Sequence, residues 1–180
     1  MSRVLIIRHC ESSGQVAEAP LTATGYAQAE ALAEWLAAHP IDRIVSSTYR
    51  RAQETIAPFA ARSGLRIELE PRLVERRLSP EPIPDWRDVV RRSFGEPDFV
   101  VPGGESGRET LERGWAALEA VLDGGHELPA IVSHGQLISL VLSRIDPSFG
   151  FDGWRSLRNP DILLVERGPD GRRSFRRLAP

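Results

Sequence analysis

The chain has 180 residues, 23 basic against 25 acidic, a formal charge of −2, and a single cysteine, Cys10. Near-neutrality removes any bulk electrostatic case for nucleic acid, one cysteine excludes an internal disulfide or a cysteine-rich zinc site, and no apolar run approaches the roughly 18 residues of a membrane span. One domain over 1–180 is expected, soluble and cytoplasmic, with enough chain to bury its own core. Every basic residue counted is arginine, so a bound phosphate would be held by arginine, histidine or backbone groups.

Taken in chain order, Val4 to Ile7 reads as a short buried strand, and "TATGYAQAEALAEWLAAHP" as a helix with Ala27, Leu32 and Leu36 at helical spacing, stopped by Pro40. Ile44 to Ser46 predicts a second strand, "YRRAQETIAPFAARSG" a helix carrying Pro58 and ending at Gly64, and Ile67 to Leu69 a third extended segment. From Ser79 to Gly104 the periodicity gives way to a proline-rich excursion around a short helix at about Trp86 to Phe94. A helix over Arg108 to Leu122, a strand at Ala130 to Val132, a helix from near Gly135 and strands at Ile162 to Glu166 and Ser174 to Arg177 complete the chain. Alternating strands and helices predict an α/β three-layer sandwich, with a mostly parallel central sheet flanked by helices.

In open α/β sheets the residues just after a strand are aimed at the ligand site. Three segments here end a strand in polar, phosphate-compatible side chains: "IIRHCES", "IVSSTYRRAQET" and "AIVSHGQL". The last places His134 and Gly135 before a helix whose first N–H groups can receive an anion. A strand-end histidine alone is more often a hydrogen-bonded structural residue than a nucleophile, and Arg8 or Arg51 alone is usually a surface charge. Their recurrence at equivalent topological positions is what points to one site.

"RHCES", "SSTYRRAQET", "GGES" and "VSHG" resemble, in order, the signatures of the histidine phosphatase superfamily, the phosphoglycerate-mutase-like enzymes. The resemblance covers most of the chain. It implies a phosphohistidine mechanism with His9 as nucleophile, His134 as second histidine, Arg8 and Arg51 as phosphate ligands, and Glu75 of "PRLVERR" as proton donor. Gln15, Ser12 and Gly135 fall where a phosphate-binding shell would extend. Cys10 departs from the family motif, which has glycine there. A small side chain fits an ordinary backbone conformation at that position, with a buried inert thiol or a redox-sensitive thiolate as the two readings.

The residue types suit the chemistry. A neutral imidazole attacks phosphorus and divides hydrolysis into two steps. Arginines neutralise the transferring oxygens, and a carboxylic acid protonates the departing alkoxide and then activates water. No metal or other cofactor is expected. The implied enzyme is a histidine acid phosphatase-like phosphoric monoester hydrolase acting on a phosphorylated small molecule or, as an open alternative, a phosphoprotein; the sequence leaves its oligomeric state unread. Other open readings are a mutase that returns the phosphoryl group to a second hydroxyl, and a catalytically silent phosphate- or phosphoprotein-binding module. A metal site of His9, Cys10, Glu11 and His134 fits poorly, because adjacent residues on an extended chain alternate direction. Glu75 has a competing reading as a salt bridge to Arg76 or Arg77. Glu11 and Glu105 read as local hydrogen-bonding residues, His39 and His126 as loop residues, and Trp35 and Trp115 as core. Arg87, Arg91 and Arg92 read either as a solvated helix face or as readers of a second anionic group on the substrate.

Overall fold

The computed structural model describes residues 2–178. The elements run β1 (Ser2–Arg8), α1 (Ala23–Ala37), β2 (Ile44–Ser46), α2 (Arg50–Ser63), β3 (Ile67–Leu69), a 3₁₀ turn (Pro71–Leu73), α3 (Trp86–Gly95), α4 (Gly107–Leu122), β4 (Ala130–Ser133), α5 (Gly135–Ile145), α6 (Gly150–Ser156), β5 (Asp161–Arg167) and β6 (Arg173–Leu178). One six-stranded sheet has the order β3-β2-β4-β1-β5-β6. The β3–β2, β2–β4 and β4–β1 pairs are parallel, while β5 runs antiparallel to both β1 and β6. The sheet is therefore mostly parallel, as the sequence predicts.

Central strands buried on both faces carry continuous apolar runs, and β1 does so from Val4 to Ile7. Its side chains divide by the two-residue period. Leu5 and Ile7 join Leu32, Leu36, Ile56 and Phe59 of α1 and α2, whereas Val4 and Ile6 join Leu118, Val121, Leu137 and Ile138 of α4 and α5. Two apolar cores thus sandwich the sheet. On α1 the buried stripe is Ala29, Leu32, Ala33 and Leu36, with Ala27 on the solvent side. Trp35 and Trp115 pack against the edges of the two cores. Among the described residues no helix is long and apolar enough to cross a membrane.

Helix ends follow local chemistry. Thr22 caps α1 by accepting from Gly25 N–H at 3.0 Å. Ser106 and Glu109 form a reciprocal capping box at the start of α4. α2 ends at Gly64 in the left-handed conformation, φ 74°. Pro58 lies within α2, where Arg51, Ala52, Thr55, Ile56 and Phe59 are buried, so packing outweighs the missing N–H. Gly25 is dictated by close approach, since a Cβ there would lie 2.0 Å from the Glu11 carbonyl oxygen.

Two elements are additions to the sequence reading, the 3₁₀ turn and α6. α6 is a seven-residue helix holding Gly150 and Gly153 just after Pro147, so its local signal favours a turn. Aromatic packing holds it in place. Phe149 meets Phe175 edge-on, Phe151 stacks on Trp154, and Trp86 and Phe94 of α3 meet Trp154 and Phe151. The excursion from Ser79 to Gly104 is thereby docked onto α6.

Candidate active site

The parallel strands β2, β4 and β1 are neighbours, so their carboxyl ends open side by side. The β1–β4 register aligns Arg8 with Ser133, and His9 N–H donates to Ser133 O at 3.0 Å. That step places His9 beside His134, with ring centroids 5.1 Å apart. Arg51, in the first turn of α2 after β2, reaches between them and donates from Nε to His9 Nε2 at 3.2 Å. Arg8 lies at the other side, against Gly135. A Cβ on Gly135 would approach the Arg8 Nε to 3.2 Å, so glycine lets the guanidinium lie close to the start of α5.

His9 has its two ring nitrogens distinguished. Nδ1 lies 2.6 Å from Cys10 O, and a carbonyl only accepts, so Nδ1 carries the hydrogen. Nε2 therefore has its lone pair exposed to Arg51, at a distance long for such a bond. Burial, with help from the Arg51 and Arg8 charges, pushes the His9 imidazolium down to about 3 against the support of the Cys10 carbonyl. The ring is neutral across the physiological range. His134, fully buried, is likewise held well below the usual histidine value by burial and then by His9 and the surrounding arginines. Its Nε2 lies 2.8 Å from Ser47 Oγ, a contact absent from the sequence reading although Ser47 sits inside "SSTYRR".

These shifts carry a stability consequence. Between a lowered folded value and the ordinary value near 6.5 the unfolded chain binds more protons, so stability rises with pH up to about 6.5 and is lost as pH falls below it. Each buried histidine contributes a slope of up to about 1.4 kcal/mol per pH unit in that window. In phosphate-free denaturation series between pH 5 and 6.5, His134→Gln is expected to reduce the slope by about one such increment. An unchanged slope would contradict the assignment of a neutral buried His134.

Several nitrogens in the site are buried without a hydrogen-bond partner among the described residues: Arg8 Nε, Arg51 Nη2 and His134 Nδ1. Their groups otherwise hold backbone. Arg8 Nη1 donates to Leu157 O at 3.0 Å, and Arg51 Nη1 donates to Gln15 O at 3.1 Å and Val16 O at 2.9 Å. Gln15 has an exposed side chain, so what it presents to the site is its carbonyl. Ser12 Oγ donates to Gly14 O at 3.1 Å. Burial lowers the pKa of both Arg8 and Arg51.

Glu75 sits at the start of α5 and is not ion-paired with Arg76 or Arg77. Oε1 accepts from Arg76 N–H at 2.9 Å and Leu137 N–H at 3.1 Å, and Oε2 accepts from Gln136 N–H at 3.1 Å. The carboxylate thus receives N–H groups of α5 that the sequence suggested for an anion, at the favourable end of the helix dipole. Arg113 braces this segment, donating from Nη1 to Arg72 O and Val74 O at 2.7 Å each while its Nε and Nη2 hold the Glu105 carboxylate. Glu105 is thereby structural, as is Glu11, which accepts from Thr22 Oγ1. Arg76 is buried and donates from Nε to Glu105 O, with both Nη atoms unpartnered.

A cleft of about 420 Å³ opens beside Glu75, with Tyr49, Arg77 and Arg113 among its lining residues. Tyr49 faces His134 edge-on and lies beneath the Arg51 guanidinium. Arg87, Arg91 and Arg92 do not line this cleft. They lie over Trp86, Phe151 and Phe99, and Arg92 also pairs with Glu96. Cys10 is fully buried, its thiol pushed up to about 11 by burial, which places it with the inert reading. No described non-glycine residue has positive φ, so cysteine is unstrained there. His39 stacks on Trp35, and His126 Nδ1 lies 3.3 Å from Asp42, both in surface loops.

A neutral strand-end histidine with its lone pair directed among buried arginines and a second histidine is the arrangement the four signatures imply. The family model of the histidine phosphatase superfamily (branch 1) matches residues 4–176, and the chain belongs to that superfamily. It is 34% identical over 162 residues to "Probable phosphoglycerate mutase GpmB" of Cronobacter sakazakii, covering 81% of this chain and 75% of that protein. Among solved structures it resembles Bacillus stearothermophilus YhfR, with a TM-score of 0.81, 20% identity and coverage of 97% of this chain and 95% of the other. It also resembles a mycobacterial glucosyl-3-phosphoglycerate phosphatase complexed with VO3, with a TM-score of 0.79, 24% identity and 98% coverage of both chains. Relatives named as phosphatases and as mutases both perform phosphoryl transfer.

Proposed function

We propose that the protein is a metal-independent phosphomonoesterase that acts on phosphorylated small molecules through a phosphohistidine on His9. The observation that carries this reading is a neutral His9 with Arg51 Nε 3.2 Å from its Nε2 and the His134 ring 5.1 Å away, in a site where Arg8 Nε, Arg51 Nη2 and His134 Nδ1 are buried without partners among the described residues. Buried polar groups are normally satisfied, and phosphoryl oxygens are acceptors of matching charge. His134 contributes as a donor when Ser47 Oγ–H donates to Nε2 and Nδ1 carries the hydrogen.

In the first step His9 Nε2 forms a bond to phosphorus as the ester P–O bond breaks. Arg51 transfers its Nε hydrogen bond from His9 Nε2 to a phosphoryl oxygen, and Glu75 delivers a proton to the leaving oxygen. Oε2 is the suited oxygen, since it has a single N–H partner against two on Oε1. In the second step Glu75 takes a proton from water, which attacks phosphorus, breaks the P–N bond and releases phosphate. The cleft of about 420 Å³ lies in the usual range for small-molecule sites and gives both leaving group and water a route to Glu75.

The mutase reading draws support from the GpmB likeness. Hydrolysis is favoured by the short excursion from Ser79 to Gly104, docked on α6, and by the open cleft. A phosphate-release screen over a broad metabolite panel, with a phosphoprotein included and excess chelator present, tests the proposal. Chelator-resistant phosphate release is the expected result. Transfer of phosphate between hydroxyls without release would favour the mutase, and activity restored only by a divalent ion would overturn the metal-free reading.

A further inference from the structure

The backbone immediately after the proposed nucleophile is gripped by side chains from three separate elements. The His9 carbonyl accepts from Asn159 Nδ2 at 2.7 Å, and the next amide, Cys10 N–H, donates to Thr55 Oγ1 at 2.9 Å. These are the two ends of one planar peptide, so fixing both fixes its rotation. The following peptide is held in the same way: its carbonyl, Cys10 O, faces His9 Nδ1, and its amide, Glu11 N–H, donates to Gln28 Oε1 at 2.8 Å. Cys10 O decides which ring nitrogen of His9 carries hydrogen, so anything that orients this carbonyl also orients the lone pair on Nε2.

Asn159 is itself mounted on a braced loop. Asp161, 2% exposed and aligned with Arg8 in the β1–β5 ladder, accepts from Arg158 N–H at 3.1 Å and pairs with Arg177 at 2.9 Å. Arg177 also donates to Ser156 O at 3.1 Å. The same loop supplies Leu157 O to Arg8. A single segment therefore ties Arg8 and the His9 backbone to the far edge of the sheet.

We propose that Asn159 is a positioning residue that locks the His9–Cys10 peptide, on which the next carbonyl, Cys10 O, is mounted, and so holds His9 as the Nδ1–H tautomer with its lone pair on Nε2. The proposal rests on the reading of His9 as nucleophile. The amide must present its NH2 end, because a carbonyl faces it, and aspartate at this position would replace the donor by an acceptor of the same shape. Small displacements of a reacting atom reduce rate far more than binding.

The test combines ¹⁵N NMR of His9 in the ligand-free protein with rapid-quench measurement of phosphoenzyme formation from an aryl phosphate, for wild type, Asn159→Ala and Asn159→Asp. Thr55→Val, which removes the other hold on the same peptide, is the second probe if an Asn159 variant folds poorly. Expected are a single Nδ1–H tautomer in wild type, a mixed population in the variants, and phosphoenzyme formation slowed by about 10- to 100-fold with KM changed far less. An unchanged tautomer and a rate near wild type in folded variants would overturn the proposal. If wild type forms no phosphoenzyme at all, the nucleophile reading fails, while the NMR comparison still decides whether Asn159 sets the tautomer.

Discussion

Replacing His9 by alanine is expected to abolish phosphate release, by about 10³-fold or more, the scale on which loss of a covalent nucleophile acts. Arg8, Arg51, His134 and Glu75 are anchored without the His9 ring, through Leu157 O, the Gln15 and Val16 carbonyls, Ser47 Oγ and the α5 amides, so the rest of the site should persist. The variant is therefore expected to keep binding phosphate or vanadate while making no covalent adduct. Retained turnover would move the nucleophile elsewhere. Lost phosphate binding together with lost activity would mean that the change had collapsed the site, leaving the chemistry to be read from His9→Gln. The pH dependence should agree: with His9 neutral down to about 3, an acid limb in kcat/KM near 6.5 is not expected from this residue.

Glu75→Gln has the second largest expected effect, and it divides by leaving group. A poor alkyl leaving group needs a proton and an activated aryl one much less, so turnover of an alkyl monoester should fall by about 10²-fold or more while a nitrophenyl ester loses far less. The same carboxylate serves water activation, so phosphoenzyme on His9 should accumulate. The structure adds a stability effect that the sequence did not foretell. Glutamine presents an NH2 where Oε1 or Oε2 accepts a backbone N–H of Arg76, Gln136 or Leu137, so thermal stability should also fall, by about 1–3 kcal/mol. This loss is common to both substrates, whereas the acid-catalysis effect is not. An equal fall on both esters with the fold intact would leave Glu75 as an α5 cap alone and direct the search for the proton donor to His134.

The framework was legible because its signals are local. Continuous apolar runs at β1, β2 and β4, each followed by histidine, arginine or serine, place the strand ends, and helical periodicity supplies α1, α2, α4 and α5. The 3₁₀ turn and α6 depend more on tertiary packing, and α6 carries two glycines that read as a loop. What escaped the sequence is long-range or carried by backbone. Asn159 meets His9 across 150 residues, and Glu75 meets Leu137 across 62. Gln15 contributes a carbonyl, which its side-chain identity does not announce. Arg91 and Arg92 have the composition of an anion reader, yet they are engaged by Phe151, Phe99 and Glu96, and Arg77 lines the cleft instead.

The most direct test of the account is to identify the phosphorylated atom. Wild-type protein carrying ¹⁵N-labelled histidine is mixed with excess aryl phosphate, quenched in alkali within the first turnover and examined by ³¹P–¹⁵N correlation. His9 Nδ1 is occupied by the Cys10 carbonyl and Nε2 faces Arg51, so an acid-labile, alkali-stable phosphoryl group on Nε2 of His9 is expected. Turnover with phosphorus found on no histidine, or on His134 rather than His9, would contradict it.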